Sequence, residues 1–382
     1  MRGVSARRPA FCYRQGDIRS GARGASAGAR LRAQAMSASW YRDLYRIDAV
    51  HGVQAVLTRV GLAVGVPMVG YVLLGHPGAA VAGGATALFV TLSDVGRSAR
   101  TRLGTMFAAW VMILAGGTLG HLLGETPYSR EAIVLACALV AGWASGAHPG
   151  VAVVTRFLAI AAAAGAGMHF TDPEILASVV GGGVTAFAAA FLVWKLFGLP
   201  PQENVMDWRD GVRRAFEGVG SGLRFACCYA SAAAVALFAA SALGVNDPYW
   251  ATLVVLMVMR PEGVVSLELT IHYAFGTIVG VVAGAGILRF VHDPLTLAIV
   301  ATLAAAFARV GFSINPSLGY MSFTMFLPFC VHLSSRGAAV PLLFETRVYD
   351  VSVGCALALV GTLLATYPRV VPAPAPRAAR RE

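Results

Sequence analysis

Arginines set inside apolar runs carry the most evident chemistry in this sequence. Arg156 lies seven residues beyond Pro149, between Val153-Val154-Thr155 and Phe157-Leu158-Ala159. A charge at bilayer depth costs at least about 2.5–3.5 kcal/mol, so such a side chain faces protein or water. It could hold a carboxylate by charge-assisted hydrogen bonds. Two helical turns are about 11 Å, near the reach of a side chain that snorkels to the headgroups, and both readings stand at this level. Arg59 and Arg224 open equivalent apolar segments, and Arg260 follows another. Together with Arg156 they are the candidate anion path, because a basic ring at a mouth concentrates anions through its field. The plainer alternative for Arg59, Arg224 and Arg260 is an inside-positive anchor.

Acids and histidines supply proton-coupling candidates. Asp350 is three residues after Arg347, so the two share a helix face. A carboxyl there could carry a proton, or form a permanent ion pair that pins the helix. The same spacing pairs Asp94 with Arg97, and His272 lies one turn after Glu268. A histidine–carboxylate pair can relay protons, although at a helix start it is also what a wetted surface looks like. No catalytic or metal site is expected. The eight histidines are scattered, the six cysteines lack ligand spacing, and there is no nucleotide-binding loop or Gly-x-Ser-x-Gly elbow. No cofactor is therefore expected, and no self-contained ATP-driven pump.

The elements that position these residues follow from composition. The chain has 382 residues, 57% hydrophobic and only 13% charged, with a mean hydropathy of +0.68. Water-soluble domains carry about 25% charged residues, so the main solvent of this chain is lipid. The formal charge of +11 is a topology signal before it is a nucleic-acid signal, and no nucleic-acid partner is expected. A spanning helix needs about 20 apolar residues. Twelve segments qualify or nearly do: 56–74, 78–93, 103–123, 132–147, 149–168, 175–194, 225–245, 248–259, 271–288, 294–310, 316–333 and 348–367. Those beginning at Gly78 and Pro248 are short. X-Pro pairs such as His76-Pro77, Asp172-Pro173, Asp293-Pro294 and Asn315-Pro316 separate many of them, and proline suits a first helical turn. The expected fold is an all-α polytopic membrane protein.

With both termini inside, most arginines fall on one face, among them Arg97, Arg100, Arg102, Arg209, Arg213, Arg214, Arg260 and Arg309, while Arg130, Arg289, Arg336 and Arg347 fall on the other. Residues 1–55 read as an Arg-rich cytoplasmic arm; 1–35 read either as part of that arm or as a spurious extension, Met36-Ser37-Ala38 being the alternative beginning. Residues 56–197 and 223–367 read as two six-helix repeats joined by an amphipathic cytoplasmic linker, 198–222, and 368–382 as a disordered basic tail. The halves align at offsets of 165 to 172 positions: Arg59 with Arg224, Gly104-Thr105 with Gly276-Thr277, Glu174 with Glu345 and Gly183 with Gly354. Six helices return the chain to its starting side, so the repeats run parallel about a pseudo-two-fold axis along the membrane normal.

The stretch Asn246-Asp247-Pro248-Tyr249-Trp250-Ala251-Thr252-Leu253, with Arg260-Pro261, Gly276-Thr277-Ile278-Val279-Gly280 and Glu345-Thr346-Arg347 through Asp350 to Gly354, resembles the fusaric-acid-resistance (FUSC-like) integral membrane transporters. The likeness covers residues 224–364, with the first half as a more degenerate copy. It implies proton-driven export of aromatic or other organic acids across the bacterial inner membrane. A distant likeness to plant aluminium-activated malate transporters implies an anion path on the two-fold axis. Long family members carry sizeable soluble domains; here only 198–222 joins the halves, which leaves a periplasmic adaptor in doubt. The expected partners are the lipid bilayer, a small organic anion and, as an open possibility, further copies of the chain. The alternatives are a passive anion channel of the same architecture and, from another class, a membrane-embedded enzyme.

Overall fold

The computed structural model describes residues 52–124, 126–145, 149–165, 170–199, 210, 212–213, 216, 222–244, 249–334 and 340–366. The N-terminal arm, most of the linker, the basic tail, His148 and Asn246-Asp247-Pro248 lie outside the described residues.

Twelve helices and no strands occur among the described residues. They are α1 (Val53–Leu73), α2 (Pro77–Leu92), α3 (Ala99–Leu123), α4 (Pro127–Ala144), α5 (Pro149–Gly165), α6 (Pro173–Phe197), α7 (Gly222–Ala242), α8 (Tyr249–Val258), α9 (Gly263–Leu288), α10 (Pro294–Ile314), α11 (Pro316–Ser334) and α12 (Val340–Thr366). Each falls on one of the twelve expected segments. Prolines 77, 127, 149, 173, 294 and 316 each open a helix, where the missing N–H has no intrahelical partner to lose. Seven helices are long and apolar enough to cross a membrane: α1, α3, α6, α7, α9, α10 and the 346–366 part of α12. The protein is an all-α, multi-pass membrane protein.

Burial separates an inner set of helices from an outer one. Along α12 the buried positions are Arg347, Asp350, Val351, Gly354, Cys355, Ala358, Gly361 and Thr362, a 3.6-residue stripe, while Val348, Tyr349, Ser352 and Val360 face outward. On α8 every residue but Trp250 and Met257 is buried, as expected of a helix enclosed by protein on all sides. α2 is nearly as enclosed.

The packing pattern occurs twice. α3 packs on α5 as α9 packs on α11; α4 on α5 as α10 on α11; α2 on α6 as α8 on α12; and α1 on α2 and α6 as α7 on α8 and α12. Between the halves, α1 meets α10 as α7 meets α4, and α2 meets α11 as α8 meets α5. Contacts that exchange in this way are those of a two-fold relation. Small residues set the close approaches. Gly182 lies directly against the Gly83 carbonyl, and a methyl group on Gly354 would stand 2.7 Å from the Ala251 carbonyl oxygen. Gly183, the residue matched with Gly354 in sequence, packs on Trp110 of α3, while its neighbour Gly182 makes the close approach to α2. Gly104 and Gly276 lie on the matching helices α3 and α9, but Gly104 faces open space while Gly276 abuts α11 at Ser317 and Tyr320.

Candidate functional site

Two groups of buried charge lie at the ends of the matched helices α2 and α8, and they differ in kind. Asp94 is the second residue beyond α2 and is 3% exposed. It accepts a hydrogen bond from Arg59 Nη1 of α1, and Arg102 Nη1 of α3 stands 3.7 Å away. Arg59 Nη2 also donates to the Thr91 carbonyl at 3.4 Å, and Arg102 Nε to the Gly96 carbonyl at 2.8 Å. Arg309, from α10 of the other half, lies within electrostatic reach of Arg59 and Asp94 and donates from Nη1 to Ser313 Oγ at 2.9 Å. The expected pairing of Asp94 with Arg97 does not occur: Arg97 points to the exterior, and the loop turns the carboxylate towards α1 and α3. Arg59 is therefore the partner of an acid. Arg224, its counterpart in sequence, is part-exposed and donates to the Leu364 carbonyl at the end of α12.

At the same place beyond α8 stands Arg260, half-buried, with its backbone N–H donating to Ser266 Oγ at 3.3 Å and Nη1 donating to the Met259 carbonyl at 2.9 Å. Because α5 packs against α8, Arg156 and Arg260 interact electrostatically with each other and with Tyr320 of α11. Arg156 is 8% exposed, its Nε lacks an acceptor, and no carboxylate among the described residues pairs with it. Glu262, an exposed residue at the start of α9, is the one acid whose charge reaches Arg260 among the described residues.

A third guanidinium lies further along. Arg347 is 3% exposed and donates from Nη2 to the Tyr273 hydroxyl at 2.9 Å. Its Cζ stands 5.1 Å from the centre of the Trp250 ring, a cation–π geometry. Among the described residues Nε and Nη1 have no acceptor. The Tyr273 and Tyr320 ring centres are 4.6 Å apart, so the two tyrosines bridge from Arg347 to the Arg156–Arg260 pair. Asp350, 1% exposed, lies on the same buried face of α12. His272 is also buried, at 2%, with Nδ1 2.7 Å from Ser317 Oγ; Glu268 Oε1 is 3.8 Å from Nε2. The wetted-surface reading of His272 is corrected: the α9–α11 contact covers it, leaving Glu268 in the open.

The sequence reading missed Tyr273, Tyr320 and Trp250, and it took Arg102 and Arg309 only as anchors. The two tyrosines do carry a signal, since hydroxyl-bearing rings inside apolar helices require polar company. At the seam between the halves, Phe89 of α2 packs on Phe157 of α5 and Phe323 of α11, with ring centres 5.0 and 6.4 Å away.

Residues 234–361 match the family model described as fusaric acid resistance protein-like. The match bears out the resemblance to the fusaric-acid-resistance-like family, not the distant one to plant malate transporters, and supports a function in membrane transport or resistance. It begins inside α7, ends inside α12 and contains Arg260, Tyr273, Tyr320 and Arg347, while Arg59, Asp94 and Arg156 lie outside it. No curated protein and no solved structure matches the chain.

Proposed function

We propose that this fusaric-acid-resistance-like protein is a bacterial inner-membrane secondary transporter that exports aromatic or other organic acids in exchange for protons. One observation carries the reading: Arg156 is buried within electrostatic reach of Arg260, and no carboxylate among the described residues pairs with it. Burying a cation without a partner costs several kcal/mol, whereas an anion drawn between the two guanidiniums is held by charge-assisted hydrogen bonds. Asp350, enclosed at 1% exposure on the helix that bears Arg347, is the proposed proton carrier, its protonation linked to whether an anion occupies the path.

The test is flux of radiolabelled benzoate, salicylate and nicotinate in liposomes, with and without an imposed pH gradient. Transport is expected to follow the gradient. Arg156→Ala should weaken anion affinity by about tenfold or more, in line with about 1.5–3 kcal/mol for a charged hydrogen bond. Asp350→Asn should abolish coupling while leaving binding largely intact. Flux indifferent to the pH gradient in the unmodified protein would favour a passive channel, and no flux of any of the three would remove the transport reading.

A further inference from the structure

The two halves share most of their helix contacts, although α9 packs extensively on α12 where the matching α3 and α6 barely touch, and their polar residues do not correspond. Arg260 and Asp94 are each the second residue beyond their helix, α8 and α2. Tyr320 and Val153 each stand four residues after the proline that opens α11 and α5. Counting back from Gly354 and from Gly182 or Gly183, Arg347 answers Ile175 or Leu176, apolar in either register. The first half thus has an acid where the second has a cation, and apolar side chains where the second has Tyr320 and Arg347. The acid is already engaged, by Arg59 and Arg102. At the seam between the halves, along which any two-fold axis must run, part-buried Phe89 packs against the buried rings of Phe157 and Phe323.

Resting on the reading of the protein as an anion transporter, we propose that the anion travels off the axis, entering where α5 of the first half meets α8 and continuing through the second half. It is seated first between Arg156 and Arg260 and then at Arg347 beside Trp250, with Tyr320 and Tyr273 between the two seats. Arg347 is the second seat because it is 97% covered, as its 3% exposure requires, and still presents two guanidinium nitrogens without an acceptor. Tyr273 and Trp250 hold the group in place through Nη2 and the ring face. The ligand class is a small organic carboxylate that passes alongside Tyr273 and Tyr320, whose tilted rings touch with centres 4.6 Å apart. The first half serves as scaffold, apart from Arg156, which α5 delivers across the seam.

The experiment compares two thiol reporters in the full-length protein in liposomes. One retains Cys355, which lies on the Arg347 face of α12 within electrostatic reach of Arg347 and Tyr273, with the other cysteines replaced by alanine. The other carries Phe157→Cys with all native cysteines replaced. The probes are the sulfonate-bearing and trimethylammonium-bearing methanethiosulfonates. An off-axis route predicts that the anionic reagent modifies Cys355 at least tenfold faster than the cationic one, that benzoate slows it, and that Phe157→Cys stays unreactive. Benzoate-protected labelling of Phe157→Cys with an inert Cys355 would place the route on the seam and overturn the proposal while leaving anion transport standing. Flux gives a second readout: Arg347→Gln should lower benzoate transport at least tenfold, and Arg347→Lys should recover part of it. Unchanged flux in Arg347→Gln would also overturn the second seat. Absence of benzoate, salicylate and nicotinate flux in the unmodified protein would instead defeat the transport reading itself.

Discussion

At the residue scale, a buried charge with a partner and one without call for different experiments. Asp94 is held between Arg59 and Arg102 at 3% exposure. Asp94→Asn leaves those arginines buried without their acid, a loss of roughly 3–5 kcal/mol for a broken buried pair. Its thermal unfolding in detergent should come at a clearly lower temperature, with no specific effect on anion affinity. Arg156→Ala should do the reverse, weakening affinity while the melting temperature holds or rises, since it removes an uncompensated charge. The sequence made Arg156 and Asp350 visible, because a charge deep in an apolar run stands out against its neighbours. It could not show that Asp94 turns away from Arg97, a residue three positions on, towards Arg59, 35 positions back. Spacing reports only the partners that a straight helix would offer, and Asp94 lies in a loop.

At the element scale, every helix was legible, most closely where proline marks the start, because lipid leaves few alternatives to a helix; α9 and α12 begin about eight residues before the apolar segments 271–288 and 348–367. Which face of each helix turns inward was less legible, because hydropathy hardly distinguishes a lipid-facing side chain from a protein-facing one. The glycines decide it where carbonyls come close. Gly354→Ala would push a methyl to 2.7 Å from the Ala251 carbonyl oxygen; overpacking of this kind costs about 1–3 kcal/mol, and the yield of folded protein should fall. Gly104→Ala meets open space and should be neutral or stabilising by up to about 1 kcal/mol through helix propensity. If the two behave alike, the α8–α12 contact has been misplaced. Asp293, at the start of α10, accepts from the Thr296 N–H and hydroxyl at 2.8 Å each. The Thr296 amide, followed by its hydroxyl, holds that carboxyl below its ordinary value. A depressed acid contributes stability that is present above its unfolded pKa of about 3.9 and is lost as pH falls through the folded value. Asp293→Ala should therefore melt earlier than the unmodified protein at pH 7, and the two should converge as pH drops below about 4.

For the whole molecule, the alternation of helix ends is consistent with twelve crossings. The start of α2, the start of α6 and the end of α11 line a single pocket of about 500 Å³, with His76 Nδ1 2.9 Å from Glu174 Oε2 in its wall. The ends that should lie on the opposite face also meet: Arg224 opens α7 against Leu364 near the end of α12, and Ser266 reaches Thr362 at 2.8 Å. Which face is cytoplasmic rests on the arginine distribution. Reporter fusions at Tyr367 and within 198–222 should both signal cytoplasm, and a periplasmic signal from either would contradict parallel repeats. The repeat itself was legible only as thin, ordered matches, because the halves have kept their packing and diverged in their polar chemistry.

The ten residues of α8 cover about 15 Å at 1.5 Å per residue, half of a hydrocarbon layer about 30 Å thick. If water rather than protein fills the approach to either end of this helix, the membrane voltage falls across the thin remainder instead of the full bilayer. A monovalent anion moving the length of α8 would traverse most of that drop, worth about 2.3 kcal/mol per 100 mV for each charge. An interior-negative potential would then drive export by itself. Clamping liposomes at successive potassium diffusion potentials with valinomycin should change anion efflux steeply, by up to about fortyfold per 100 mV if one full charge crosses the whole drop.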